Sequence, residues 1–277
     1  MAIAIKNLQD KTPDPAAPRR SLSPQFAARR DESLAAVVCE TVHAELADAP
    51  DGAEARARAA VLRFQDLYDG RPVRDNAGGS GFNDSLWLFA LASALAPEVI
   101  VESGVHKGHS TWLFRQACPH AAIYSFDITL KKRVYIDEKT HYFESDWMSA
   151  PLPFVAPPAR HLIFFDDHIS HGQRLREAHA RGFRCALFDD NFAAHHLYAT
   201  GGPPVPTLAM LFDSDLEPGT EVRWTRNGKA YSYRFDGADR ASATSLVRRM
   251  ATLPDLAPLT RHSLGSGLTL LQLAATA

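Results

Sequence analysis

The chain has 277 residues, of which 45% are hydrophobic and 22% are charged, a composition typical of a folded protein with one sizeable core. Its 30 basic side chains nearly balance 32 acidic ones, which argues against a nucleic-acid or anionic-membrane partner. No apolar run approaches the roughly 20 residues of a membrane span, and no apolar segment marks a secretory signal. The three scattered cysteines indicate neither a disulfide framework nor a cysteine metal site. We therefore expect a cytoplasmic protein.

Two segments precede the predicted sheet. Residues 1–30 contain four prolines and four arginines, which predicts a flexible arm. Residues 31–96 form a predicted α-helical extension, because apolar residues recur at four-residue spacing from Leu34 to Leu46 and again towards Tyr68. A third helix is predicted over 83–94, directly before the first strand.

From residue 97 to 277, predicted strands and helices alternate. The strands are predicted at 98–103, 122–127, 141–144, 161–166 and 184–189, and the helices near 110–117 and 172–181. This alternation is typical of an α/β fold with a doubly wound, mostly parallel sheet.

The end of this region departs from the alternation. We predict a hairpin near 221–235 around Asn227-Gly228, a helix over 239–251, and a last strand over 267–273 that closes the sheet.

The first predicted strand ends in the most informative motif of the chain. The apolar run Val99–Val101 is followed by Glu102, then Gly104 and Gly108, and then a predicted helix. A strand, a glycine turn and a helix N-terminus let the backbone approach a nucleotide-like ligand closely. The G-x-G-x-x-G triplet of dinucleotide sites is absent, and Glu102 would repel a pyrophosphate. The motif therefore favours a ligand that presents a cation or hydroxyl groups.

Polar residues also follow the next two predicted strands. Asp127 ends the second strand, where a carboxylate can accept hydrogen bonds from two ribose hydroxyls. Asp146 and Trp147 follow the third, where an adenine amino group and ring could be bound. The alternative for Asp127 and Asp146 is a helix N-cap or a turn.

Together these positions carry a family resemblance over residues 97–191. The residues that resemble the cofactor half of a class I S-adenosylmethionine-dependent methyltransferase are Glu102, Gly104, Gly108, Asp127 and Asp146. The resemblance implies S-adenosylmethionine as the cofactor, with Ser110 and Trp147 also in its site.

A second constellation consists of two acidic clusters, Asp166-Asp167-His168 and Asp189-Asp190-Asn191. Both follow buried strands, so they are expected at one edge of the sheet. Carboxylate and amide oxygens are the ligands that Mg²⁺ prefers, and a cation would relieve the repulsion among the carboxylates. The alternative is that these residues are strand-end caps, with one carboxylate touching the cofactor.

The spacing of the two clusters is similar to the divalent-metal motif of catechol and caffeoyl-CoA O-methyltransferases, and to the metal sites of macrolide-sugar and cephalosporin-hydroxylase-like groups. This likeness implies Asp166 or Asp167, Asp190 and Asn191 as ligands of Mg²⁺ or another divalent cation. In these families the metal holds a substrate hydroxyl and lowers its pKa.

Histidines near the clusters are candidates for a general base at neutral pH. We favour His168, beside Asp166 as a second catalytic candidate, although His168 could instead bind the metal. His171, His195 and His196 are further candidates, with a capping role favoured for His171.

We therefore expect methyl transfer to a hydroxyl group of a small molecule of secondary metabolism, with no nucleic-acid or membrane partner. Self-association into a homo-oligomer stays open. Two alternatives are a Rossmann-type nicotinamide oxidoreductase, which would require the missing glycine triplet, and a protein that binds S-adenosylmethionine without turnover.

Overall fold

The computed structural model describes residues 24–46, 49–150, 152, 160–199, 204–226, 228–263, 265 and 267–275. Most of the predicted arm, residues 1–23, lies outside the described residues. The first described helix begins at Pro24. Among the described helices, none is long and apolar enough to cross a membrane.

Three helices precede the sheet: α1 (Pro24–Glu45), α2 (Ala53–Asp69) and α3 (Phe82–Leu95). The four-residue repeat from Leu34 to Leu46 is buried along one side of α1, as the spacing predicts. In contrast, α3 is buried on all sides from Phe82 to Ala94. It is therefore a core helix that packs against α1, α2 and the helix His109–Ala117.

The central sheet has seven strands in the described part of the chain. They are β1 (Val99–Ser103), β2 (Ala122–Asp127), β3 (Thr140–Glu144), β4 (His161–Phe165), β5 (Cys185–Phe188), β8 (Val247–Thr252) and β9 (Thr269–Leu273). Their order is β3-β2-β1-β4-β5-β9-β8, with β1 to β5 mutually parallel and β9 antiparallel to β5 and β8. The predicted α/β fold, a doubly wound, mostly parallel sheet after an α-helical N-terminal region, is confirmed.

The helices between the strands are α4 (His109–Ala117), α5 (His171–Ala180), α6 (Leu208–Leu211), α7 (Gly237–Leu246) and α8 (Ala257–Thr260). A separate antiparallel pair, β6 (Glu221–Arg226) and β7 (Lys229–Arg234), lies outside the central sheet. Asn227 of the predicted hairpin turn is outside the described residues.

The strand order reverses at β1. The chain first places β2 and β3 on one side of β1, and then returns to place β4 and β5 on the other side. Such a reversal opens a crevice at the carboxyl ends of the strands, because the flanking connections leave in opposite directions. Every residue of β1 and β4 is buried, so the crevice rests on a rigid base.

One prediction for the C-terminal region is wrong. The helix predicted over 239–251 ends at Leu246, and residues 247–252 form β8 at the edge of the sheet. The strand predicted over 267–273 is present as β9, which is inserted between β5 and β8. Pairing with β9 supplies the backbone hydrogen bonds of 247–252, and this tertiary contact overrides a local helical preference.

The glycines of the motif after β1 are required by the packing of the chain on itself. Gly104 has a φ of +104°, and a Cβ atom there would lie 2.2 Å from the backbone oxygen of Asp166. Gly108 has a φ of +85°, and its Cβ atom would lie 2.7 Å from the backbone oxygen of Tyr135. The loop after β1 is thereby pressed against the end of β4.

We expect Gly104→Ala to lower the free energy of unfolding by about 3 kcal/mol or more, because it adds a backbone clash to an unfavourable φ. The matched control is Gly219→Ala. Gly219 has a similar φ of +90°, but nothing lies within 4 Å of its Cβ position. That variant should lose only about 1–2 kcal/mol. Denaturant unfolding of both variants measures the difference, and equal losses would contradict the proposed contact.

Candidate functional site

A cavity of about 520 Å³ lies at the carboxyl ends of the parallel strands, where the strand order reverses. Its walls include Gly104 after β1, Asp127 at the end of β2, and Asp166 after β4. Gly78, from the loop before α3, faces the same space. The volume is within the range of small-molecule sites, and the position is where ligands bind in sheets of this kind.

Asp127 organises the loop after β1 and also faces the cavity. Its Oδ2 atom accepts hydrogen bonds of 2.9 Å from the backbone N–H groups of Val105 and His106. Its Oδ1 atom accepts one of 3.0 Å from Thr129. A carboxylate can accept about four hydrogen bonds, two on each oxygen, so the remaining capacity is on Oδ1. Asp127 therefore holds the loop and retains an acceptor for a ligand hydroxyl.

Glu102 and Ser110 do not appear among the described residues that line the cavity. Glu102 is fully buried, and its Oε2 atom accepts hydrogen bonds from Thr111 Oγ1 at 2.5 Å and Ser125 Oγ at 2.6 Å. Burial raises the pKa of this carboxyl group. Ser110 is buried in the first turn of α4. The structure thus gives Glu102 the role of joining β1 to α4 and β2, beneath the wall of the cavity.

Asp146 lines the cavity, as the family resemblance implies, but it is also an N-cap. Its Oδ1 atom accepts a hydrogen bond of 2.8 Å from the backbone N–H of Met148, and its Oδ2 atom pairs with Arg174. Both the binding and the capping interpretation of this residue therefore have a structural basis.

Trp147 is not placed to stack on a ligand. Its side chain is fully buried, and Nε1 donates a hydrogen bond of 3.1 Å to Glu177 Oε2. The ring packs edge-on against Phe165 and Phe183. The short 3₁₀ helix at Trp147–Ser149 turns the indole into the core, away from the cavity, and this corrects the expected role.

Arg174 is the principal basic residue of the cavity wall, and the sequence analysis missed it. Its guanidinium group is only 2% exposed and pairs with Asp146, with Asp167 at 2.8 Å and with Glu177 at 2.6 Å. Burial opposes its charge, but the three carboxylates outweigh burial and raise the pKa of Arg174. The i,i+3 spacing of Arg174 and Glu177 was the one local signal of this cluster.

Three residues form a candidate metal site. Asp166, His168 and Asp190 each offer one ligand atom, and these atoms lie within 4.8 Å of one another. His168 and Asp190 have backbone φ values of +58° and +54°, which residues other than glycine rarely adopt. Such strain costs about 1–3 kcal/mol per residue and is concentrated at functional sites. Two carboxylates and an imidazole suit a divalent cation.

Asp167 and Asn191, both expected as metal ligands, are held elsewhere. Asp167 Oδ2 accepts hydrogen bonds from Ser103 Oγ at 2.5 Å and from Arg174 Nε at 2.9 Å. The amide of Asn191 donates to Thr269 Oγ1 at 2.7 Å and accepts from the backbone N–H of Ala209 at 2.6 Å. The structure therefore brings Asp166, rather than Asp167, to the site and places His168 where Asn191 was expected.

The carboxylates of the candidate metal site destabilise one another. Burial and the neighbouring Asp189 and Asp190 raise the pKa of Asp166 well above its ordinary value. Burial and Asp189 raise the pKa of Asp190 to about 7. A bound cation would remove this penalty, which is the physical rationale for a metal here.

The other candidate histidines lie outside this site. His171 is buried, its Nδ1 atom accepts a hydrogen bond of 3.2 Å from Leu208, and burial lowers its pKa to about 3. It is therefore a neutral structural residue. His195 and His196 are exposed and contact each other, with ring centroids 4.0 Å apart. Of the four candidate histidines, His168 is the one in the metal site.

No protein-family profile matches the chain, and no curated protein sequence matches it. Solved structures with a similar fold include a methyltransferase from Podospora anserina bound to SAH, at 14% identity and a TM-score of 0.42, with 92% of this chain and 97% of that chain covered. A protein from Klebsiella pneumoniae that is described as an O-methyltransferase has 13% identity and a TM-score of 0.40, with 88% of this chain and 99% of that chain covered.

Two further solved structures are similar to this chain at comparable sequence identity. An O-methyltransferase from Bacillus cereus in complex with SAH has 12% identity and a TM-score of 0.35, with 73% of this chain and 96% of that chain covered. The structure named cmcI-N160 SAH has 17% identity and a TM-score of 0.34. The alignment spans 39% of this chain and 60% of that one. At such identities the likeness concerns the fold alone.

We expect Asp190→Asn to stabilise the metal-free protein at pH 8 by on the order of 1 kcal/mol, or about 2–4 °C in the melting temperature. Folding raises the pKa of Asp190 to about 7, so the folded state favours the protonated form, and above pH 7 the charge opposes folding. The gain should shrink at pH 5, where the folded carboxyl group is protonated.

Thermal unfolding at the two pH values tests this effect, with the exposed Asp66→Asn as a control for the change in net charge. Asn also tolerates a positive φ better than most residues, but that benefit does not depend on pH. A pH-independent gain would therefore contradict repulsion among the carboxylates.

Proposed function

We propose that the protein transfers a methyl group from S-adenosylmethionine to a hydroxyl group of a small molecule, assisted by a divalent cation. One observation carries the proposal. A single cavity extends from Asp127 and the loop after β1 to Asp166 and His168 of the candidate metal site. A methyl donor bound at the first end would therefore face an acceptor bound at the second.

The charge of the cavity supports a cationic donor. Four carboxylates line it, those of Asp127, Asp146, Asp166 and Asp167. Two basic side chains line it as well, and one of them, Arg174, is already paired with three carboxylates. The carboxylate of Asp127, at the donor end and outside these ion pairs, would attract a sulfonium ion and repel the phosphates of a nicotinamide dinucleotide. No contact in the described cavity favours the nicotinamide alternative.

Methyl transfer is an in-line displacement, so the protein contributes mainly by orienting donor and acceptor and by removing the acceptor proton. Asp127 would hold the donor through its free acceptor capacity. Asp166, His168 and Asp190 would hold the cation, which when bound would act as a Lewis acid that lowers the pKa of the acceptor hydroxyl.

His168 also has an alternative interpretation, as a general base that requires no metal. Its Nδ1 atom lies 3.4 Å from Asp190 Oδ2, so that the carboxylate could orient the imidazole as a general base. A metal ligand and a general base differ in one measurable respect. A ligand role requires the cation for turnover, whereas a base role gives a rate that survives chelation.

We expect S-adenosylhomocysteine at 100 times its Kd to raise the unfolding free energy by about 2.7 kcal/mol, whereas NAD⁺ should have no effect. Asp127→Asn should weaken S-adenosylhomocysteine binding at least tenfold, with Asp66→Asn unchanged. Thermal shift and calorimetry measure both effects. The ligand-free melting temperature of Asp127→Asn shows whether the loop after β1 is intact. Stabilisation by NAD⁺ alone would overturn the assignment of the donor.

The metal ligands are tested by calorimetric titration of the full chain with Mg²⁺ and Mn²⁺. We expect His168→Ala and Asp166→Asn to weaken binding at least tenfold, because each removes a ligand atom. Asn191→Ser is the matched variant, and it should retain the affinity although it breaks two hydrogen bonds. The reverse result would restore the ligand set of the catechol type. Turnover that survives exhaustive chelation would refute metal assistance.

A further inference from the structure

Residues 74–79, which we call the front loop, form one wall of the cavity at the carboxyl ends of the strands. The front loop has no regular secondary structure, and it is flanked by the buried residues Val73 and Ser80. Between these two anchors the chain is mostly exposed, yet Gly78 lines the cavity. Burial in the core therefore does not account for the position of the front loop.

The hydrogen bonds within this segment fix its shape. Asn76 Nδ2 donates a hydrogen bond of 3.0 Å to the backbone oxygen of Ser80, and the N–H of Gly79 donates one of 3.0 Å to the backbone oxygen of Asn76. Asp75 Oδ1 accepts one of 3.3 Å from the N–H of Ala77. All of these bonds join residues of the same turn, so they do not fix where the turn stands relative to the cavity.

Lys107, in the loop after β1, supplies the missing contact. Its Nζ atom donates a hydrogen bond of 2.7 Å to the backbone oxygen of Asp75 and one of 2.9 Å to Asp75 Oδ2. The second bond lowers the pKa of the Asp75 carboxyl group. Among the described hydrogen bonds and ion pairs, these two are the ones that join the front loop to the loop after β1. We call this contact the Lys107 bridge.

The bridge starts from a well-anchored residue. The backbone oxygen of Lys107 accepts hydrogen bonds from the N–H groups of Val134 at 3.0 Å and Tyr135 at 3.1 Å. The lysine side chain is 19% exposed, whereas that of Asp75 is 81% exposed. The lysine therefore extends from a partly buried stem to hold an exposed segment.

The two loops meet at the wall of the cavity. Gly78 of the front loop and His106 of the loop after β1 both line it, and a Cβ atom on Gly78 would lie 4.0 Å from His106 Cε1. His106 is bound through its N–H to Asp127, so this meeting point belongs to the donor end of the cavity. Lys107 itself is not among the described lining residues, and it can act on a ligand only through the front loop.

We propose that Lys107 is a positioning residue for the methyl donor, because its bridge to Asp75 holds the front loop against the loop after β1 and closes the donor end of the cavity. The inference rests on the proposed function, in which S-adenosylmethionine occupies that end. Loss of the bridge would leave the binding groups, including Asp127, in place. It would let the bound donor leave faster, since the wall formed by Gly78 would no longer be fixed.

The test measures the dissociation of S-adenosylhomocysteine from the full chain and its variants by stopped-flow displacement. Lys107→Met keeps the apolar stem and should raise the dissociation rate constant at least about fivefold, the order expected when hydrogen bonds from a charged donor are lost. The association rate constant should change little. Lys107→Arg keeps the charge and the donors and should restore most of the effect. The matched control Lys229→Met changes an exposed lysine of β7 and should have no effect.

A double-mutant cycle separates the bridge from a general loss of stability. Asp75→Asn removes the carboxylate but keeps the backbone acceptor, so its effect should be smaller than that of Lys107→Met. Combined with Lys107→Met it should add nothing, because the bridge is already absent. Without ligand, amide hydrogen exchange at residues 75–79 should be faster in Lys107→Met than in the unchanged protein, with exchange in α3 unaltered.

Failure of the bridge and failure of the proposed function give different results. No binding of S-adenosylhomocysteine to the unchanged protein would refute the proposed function and the donor role of Lys107 with it. Binding with equal dissociation rates in the unchanged protein and Lys107→Met, or additive effects in the cycle, would refute the role of Lys107 alone. Should Lys107→Met fail to fold, an unchanged dissociation rate in Asp75→Asn would refute it.

Discussion

The candidate site depends on the close contact between the loop after β1 and the backbone at the end of β4. Gly104 lies so near the backbone oxygen of Asp166 that no side chain fits between them. This contact joins the wall that carries Asp127 to the edge that carries Asp166 and His168. The donor end and the metal end are parts of one cavity of about 520 Å³.

Charge divides the carboxylates of this edge into two groups. Asp146 and Asp167 pair with the buried guanidinium of Arg174, which fixes their positions in the wall of the cavity. Asp166 and Asp190 face each other with raised pKa values, and nearby His168 and Asp190 adopt strained backbone angles. Residues that cost stability in this way are the ones from which a function is expected.

The large elements of the fold were predictable because their signals are local. The buried strands β1, β4 and β5 are short continuous apolar runs, and the repeat in α1 follows from its four-residue spacing. The helix predicted through residue 251 was wrong because β8 is formed by its pairing with β9, about 20 residues further along the chain. Such a pairing leaves no local pattern that distinguishes it from the end of a helix.

The sequence by itself determined which polar residues stand at the carboxyl ends of the strands, since strand ends follow from the apolar runs. It therefore identified Asp127, Asp146 and the two acidic clusters as candidates. Only the tertiary structure decided where each side chain points. It buried Trp147, engaged Asn191 with Thr269 and Ala209, and gave Asp167 to Arg174. These outcomes depend on partners 7 to 78 residues away, and such distant contacts carry no periodic signal in the sequence.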